Sequence, residues 1–269
     1  MKIGIVSLGL IGGSLFKCLC GGLNEICAVT RNPETIKKAQ EYSSNVSDNM
    51  ENLKDCDVIF IASPINKTLE IMDKLEDILP ESTIVLDCAS VKEFVMQKKR
   101  KYKFIGSHPM AGTEFNGFDA SFKELFAGAK WVLTPSENID EDDLKKVKEI
   151  IEQTGAQIII ADAKEHDEAV ALISHMPMLV SQAVFETARR NPLALKLASS
   201  GFRDMTRLSM SNPEMARDML NYNGFNIDKS VEMLNNSIQY LKDAKYFEKC
   251  ADIKNIRSIM YSDEGKNLF

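Results

Sequence analysis

The chain has 269 residues, 44% apolar and 27% charged, enough for a substantial core in one large or two smaller soluble domains. A formal charge of −6 and a pI near 5.3 argue against a nucleic-acid partner, because phosphate binding requires a basic face. The longest uncharged run, residues 3–16, is broken by glycines and too short to span a bilayer or read as a signal peptide, so a cytoplasmic protein is expected.

The first half alternates short β-rich runs with amphipathic stretches. Residues 2–7, 26–29, 57–62, 83–87 and 104–106 read as strands, and residues 10–20, 33–41, 66–79 and 91–100 as the helices between them. A strand at 130–134, a charged helix at 140–153 and a strand at 157–160 extend the series. This alternation predicts a doubly wound, Rossmann-like α/β domain with a mostly parallel sheet over residues 1–162. After Asp162 the strand signals stop and apolar residues fall at helical spacing, which predicts an all-helical domain over 163–269. Pro177 lies inside that pattern and is expected to kink it.

"KIGIVSLGLIGGSL" runs from a strand through a glycine-rich turn into a helix, the setting in which a dinucleotide fingerprint is credible. Ser7 takes the first glycine position, Gly9 and Gly12 the second and third. With Leu10 and Ile11 they place a helix N-terminus against a pyrophosphate. Where an acid would hold the ribose of NAD, the chain has Thr30 and Arg31. Arg31 tilts the choice toward NADP and leaves NAD open. Ser63 and Pro64 close the strand of "FIASP" at the same sheet edge.

"DCASVKE" admits two readings of Ser90: the first residue of an SxxE capping box with Glu93, or a hydroxyl turned into the cleft. In "GSHPMAGTEFNG", Pro109 pushes His108 toward an extended backbone at the end of a strand, where a histidine can accept a proton near neutral pH. His166, between Glu165 and Asp167, reads as structural. His175, nine residues on, is taken to face other surroundings and is a candidate to line the cleft. Arg203 and Arg207 in "GFRDMTR" share a face if that segment is helical, either as a dicarboxylate anchor or as salt-bridge partners of local acids. The six cysteines show no metal-binding spacing, so no metal is expected.

The series SLGLIGGS, DCASVK, GSHPMAGTE, WVLTP, DAKEHD, ISHMP and GFRDMTR, in this order over nearly all of residues 1–217, resembles the prephenate dehydrogenase family of tyrosine biosynthesis. The resemblance implies a dinucleotide-binding domain, a helical dimerisation domain, and NAD(P)-dependent oxidative decarboxylation of prephenate to 4-hydroxyphenylpyruvate. It implies that His108 accepts the ring-hydroxyl proton, that Ser90 orients His108, that Arg207 holds a substrate carboxylate beside His175, and that Glu114 stands at the pocket entrance. Ser7, Thr30, Met178 and Ala216 depart from the usual pattern at a glycine, an acid, a second histidine and a tryptophan. Arogenate in place of prephenate is the nearest alternative substrate. A catalytically dead cofactor-binding protein is the alternative from another class. A fused mutase or regulatory domain is not expected at this length.

Overall fold

The computed structural model describes residues 1–113, 115–242 and 245–262. By contact the chain divides into a unit of residues Met1–Gly224 and one of Phe225–Phe269.

In the first unit, β1 (Lys2–Val6), α1 (Leu10–Leu19), β2 (Glu25–Val29), α2 (Pro33–Ala39), β3 (Val46–Ser47), β4 (Val58–Ile61), α3 (Ile65–Leu75), β5 (Ile84–Asp87), α4 (Glu93–Met96), β6 (Lys103–Pro109), β7 (Lys130–Pro135), α5 (Glu141–Glu152) and β8 (Gln157–Ile160) follow in order. They build one eight-stranded sheet, β3-β2-β1-β4-β5-β6-β7-β8, parallel except where β6 meets β7. Because β1 is flanked by β2 and β4, the order reverses beside it, and ligands of such sheets lie at that switch point along the carboxyl edge. Side chains alternate across the sheet as strand geometry demands. Ile3, Ile5, Val58, Phe60 and Leu86 enter one core, and Val6, Ile59, Ile61 and Val85 the other.

The predicted α/β domain is therefore present, with two local differences. The two-residue β3 lacks the length that gives a strand a periodic signal. The helix expected over 91–100 shrinks to Glu93–Met96, because its first amides are bound from another element and residues 97–102 turn back to the sheet, where Arg100 pairs with Asp73 and Glu76.

Past β8 the chain is helical: α6 (Ala163–Val170), a π turn (Ala171–His175), α7 (Met176–Ala188), α8 (Pro192–Lys196), α9 (Ser200–Met205), a 3₁₀ turn (Arg207–Met210) and α10 (Pro213–Leu241). Asp162 caps α6 by accepting from the Lys164 and Glu165 amides. The expected disruption at Pro177 takes the form of the π turn. The Met176 amide reaches back five residues to the Ala171 carbonyl, and Pro177 occupies the first turn of α7, where its missing N–H costs nothing. Residues Ala163–Ala188 thus form one helical run, long and apolar enough to cross a membrane by length and composition alone, and it carries the buried His166, Asp167 and His175. α10 breaks its own helical geometry at Asn223 (φ −129°, ψ 19°). The described part of the second unit is the remainder of α10 and α11 (Tyr246–Met260), which buries none of its residues.

Candidate active site

The glycine turn sits at the switch point. Ser7 has φ +71°, a left-handed conformation that glycine adopts freely and serine at a cost of about 1–2 kcal/mol, which explains why a glycine is the usual choice there. A Cβ on Gly12 would strike the Ser7 carbonyl oxygen and come within 2.9 Å of Ala62 Cβ, so only glycine lets α1 approach β1 this closely. Gly9 caps α1 without any side-chain hydrogen bond, and the Leu10 and Ile11 amides open the helix behind it. The N-terminal amides and the positive end of the helix dipole are left for an anion.

Thr30 follows β2, its amide donating to Ser47 O at 3.0 Å. Arg31 is exposed and makes no ion pair among the described residues. Ser63 is buried with its hydroxyl 3.1 Å from Thr68 Oγ1, and Pro64 is the N-cap residue of α3.

The reaction end is built around two buried carboxylates. Asp87, the last residue of β5, forms a fully buried ion pair with Lys92, whose ammonium also donates to Ser107 O at 2.7 Å. Asp87 further accepts from the amides of Ser107 and Ala89, both at 2.9 Å, and Trp131 Nε1 donates to Ser107 Oγ at 3.2 Å. Every oxygen of the pair is thereby engaged, the condition under which a buried ion pair is tolerated. It locks β5 to β6 directly beneath His108.

His108 lies within β6, opposite Val132 of β7, so the strand runs through the residue that the sequence put at its end. It is half-buried, its Nδ1 2.9 Å from His166 Nε2, the two rings at 78°. His166 Nδ1 is 2.8 Å from Asp167 Oδ1. Asp167 also accepts from the amides of Lys92 (2.7 Å) and Glu93 (2.8 Å), so this carboxylate, and not Ser90, caps α4. The SxxE box does not form. Burial holds the His108 imidazole well below the usual histidine range, reinforced by His166, the Lys92 ammonium and His175.

His175 is fully buried at the end of the π turn. Asn223 Nδ2 donates to its Nδ1 (3.1 Å) and to the Asp167 main-chain oxygen (2.9 Å), which leaves His175 Nε2 as a buried donor with no partner among the described residues. The expectation that His166 and His175 face separate surroundings does not hold. The π turn shifts the helical phase between them, and Asn223 ties both to Asp167.

Ser90 is half-buried, and its hydroxyl bonds to neither His108 nor any other described residue. Arg203 and Arg207 do not share a helical face, because α9 stops at Met205 and Arg207 opens a separate 3₁₀ turn. Arg203 lies 3.5 Å from Asp204, whereas Arg207 is exposed and unpaired among the described residues. Glu114 lies outside the described residues. Sequence reasoning passed over Asp87, Lys92, Asp167 and Asn223, although the first two stand inside "DCASVK" as an acid and a base five residues apart across a strand end.

Burial lowers the His175 pKa to about 4 from 6.5, partly opposed by Asp167. Above pH 6.5 both folded and unfolded chains hold this histidine neutral. As the pH falls from 6.5 to about 4, only the unfolded chain gains the proton, so folding is weakened by about 3 kcal/mol in total. Urea unfolding across this range should show His175→Gln losing less stability than the parent chain; identical pH dependence would show that His175 is not held neutral.

Two family models cover the chain: "Prephenate dehydrogenase, nucleotide-binding domain" over residues 21–160 and "Prephenate dehydrogenase, dimerization domain" over residues 162–260. Prephenate dehydrogenase of Bacillus subtilis is 28% identical over 227 residues, which is 81% of this chain but only 57% of that protein. Among solved structures, arogenate dehydrogenase of Synechocystis superposes with a TM-score of 0.83 at 32% identity, over 99% of this chain and 100% of that one. Prephenate dehydrogenase from A. aeolicus, in complex with hydroxyphenyl propionate and NAD+, gives 0.85 at 31% identity, over 96% and 97%. With the family models spanning nearly the whole chain and the fold shared along its length, the chain belongs to the prephenate dehydrogenase family.

Proposed function

We propose that this chain is an NAD(P)-dependent dehydrogenase of tyrosine biosynthesis that oxidatively decarboxylates prephenate to 4-hydroxyphenylpyruvate in the cytoplasm. The observation that carries the reading is His108. It stands at the carboxyl edge of β6 with one ring nitrogen engaged by His166 and the other without a partner among the described residues.

The turn of Ser7, Gly9 and Gly12 fits a dinucleotide pyrophosphate, because the closeness of α1 to β1 exposes amides that no side chain caps. Leu10 and Ile11 offer amides to it, Thr30 and Arg31 flank the adenosine ribose, and Ser63 and Pro64 border the path toward the reacting end. When bound, the nicotinamide accepts a hydride. Arg31, a cation unpaired among the described residues, favours a 2′-phosphate and hence NADP, with NAD as the alternative.

His108 accepts the hydroxyl proton of the substrate ring as that carbon gives up its hydride and becomes a carbonyl. The bond to the ring carboxylate then breaks and its electrons enter the ring. Carbon dioxide leaves, and the phenolate so formed regains the proton held by His108. Lys92 and burial keep His108 neutral and ready to accept. Arg207 and His175 Nε2 supply an exposed cation and a buried donor for substrate carboxylates, with Arg203 as an outer cation. Ser90 and Glu114 are assigned to the same pocket by family likeness.

We divide the work at residue 162, with cofactor before it and substrate and dimerisation after it. Leu172, Ile173, Leu193, Leu197, Met205 and Met210 expose a large apolar surface, which a second copy of the chain would cover in a homodimer. Sedimentation should give the dimer mass, and a monomer would remove this part of the proposal. A second reading, arogenate as substrate with tyrosine as product, draws on the likeness to the Synechocystis enzyme.

Initial rates with prephenate or arogenate, each with NAD or NADP, separate these readings. Turnover of prephenate with reduced cofactor formed is expected, and His108→Ala should lower kcat by about 10²–10⁴-fold with cofactor affinity unchanged. Failure on both substrates, or an unimpaired His108→Ala, would reject the assignment.

A further inference from the structure

The two ring nitrogens of His108 are not equivalent, and which one carries the proton decides whether the histidine can act as a base. The buried groups around it answer that question. Asp167 is almost fully buried and receives three donors: the Lys92 and Glu93 amides at the start of α4 and His166 Nδ1. Two backbone N–H groups, which can only donate, already converge on the two oxygens of this carboxylate, so it serves here as an acceptor. His166 Nδ1 is therefore the donor to Asp167, and in that tautomer the ring presents its lone pair at Nε2. That lone pair is 2.9 Å from His108 Nδ1. Two acceptors cannot share this contact, so His108 Nδ1 is the donor and its Nε2 is bare.

We propose that His166, held by Asp167, is a positioning residue that fixes His108 in the tautomer with its proton on Nδ1 and thereby makes Nε2 the acceptor for the substrate hydroxyl. The inference rests on the dehydrogenase reading of the site, and adds to it two residues from α6 that act through His108 and not on the substrate. The logic is that of a buried carboxylate orienting a catalytic imidazole, here transmitted through a second imidazole. The relay also serves the charged state. When His108 takes the hydroxyl proton it becomes an imidazolium donating to His166 Nε2, with the Asp167 charge one ring farther on. Asn223, donating to the Asp167 main-chain oxygen, holds the far end of the relay in place. His166 is 3% exposed, so water does not compete for either of its nitrogens.

Nitrogen-15 labelling of histidine tests this directly, since the chain has three histidines and single substitutions assign them. Long-range proton–nitrogen correlation spectra at pH 7.5 should show His108 protonated at Nδ1 and bare at Nε2, with His166 also protonated at Nδ1. His166→Leu should release His108 to the opposite tautomer and lower kcat by about a hundredfold, with KM and cofactor affinity little changed. His166→Gln, whose side-chain oxygen can accept from His108 Nδ1, should restore the tautomer and much of the rate. A wild-type His108 protonated at Nε2, or a tautomer unmoved by His166→Leu, overturns the proposal. The wild-type spectrum remains decisive if His166→Leu does not fold. Because the spectrum needs no substrate, a chain that turned over neither prephenate nor arogenate would reject the functional reading while still reporting the tautomer.

Discussion

The site depends on one carboxylate. Asp167 stands in the second turn of α6, yet its oxygens are bound by amides that lie about seventy-five residues earlier, at the start of α4, and by the imidazole next to it in sequence. Breaking that junction would leave two N–H groups and a histidine without partners in a dry interior, where each unsatisfied group costs about 1–3 kcal/mol. The junction fixes where the helical segment meets the carboxyl edge of β5 and β6. It thereby fixes His166 against His108 and, through Asn223, His175 against the same centre.

Beneath it lies a second constraint. The Asp87–Lys92 pair is fully enclosed and has all its oxygens occupied, so it joins neighbouring strands and at the same time places a positive charge close to His108. Losing either partner would leave an unpaired charge in the core, a cost of about 3–5 kcal/mol. One structural device thus holds the sheet edge and helps keep His108 neutral. In a chain of net charge −6, the open N-terminus of α1 and the exposed Arg31 and Arg207 are further local concentrations of positive charge.

What was legible in the sequence follows the range of the forces involved. Strands β1, β2, β4 and β5 declared themselves through β-branched runs between turn signals, and the glycine turn through its spacing. His108 stood out because proline and glycine hem it in. The carboxylate roles did not show, since Asp87 and Asp167 look like a strand end and a charged helix residue until distant amides converge on them. Ser90 was legible as a cap by local spacing and lost that role to Asp167, a tertiary contact overriding a local motif. Arg203 and Arg207 satisfied a helical spacing rule across a point where the helix ends. His166 reads as structural between two flanking acids, whereas only one of them binds it and its other nitrogen reaches β6.

The central claim is that His108 waits as a neutral imidazole, its basicity lowered by burial and by the neighbouring Lys92 ammonium. The pH dependence of kcat/KM at saturating oxidised cofactor tests it most directly, because the base works only while unprotonated. With its pKa held well below 6.5, the lone pair is free at neutral pH and stays free as the pH falls through 6.5. The account predicts a flat profile from pH 8 to below 6.5, with activity lost only at more acid pH. An acid limb centred at or above 6.5 would contradict it.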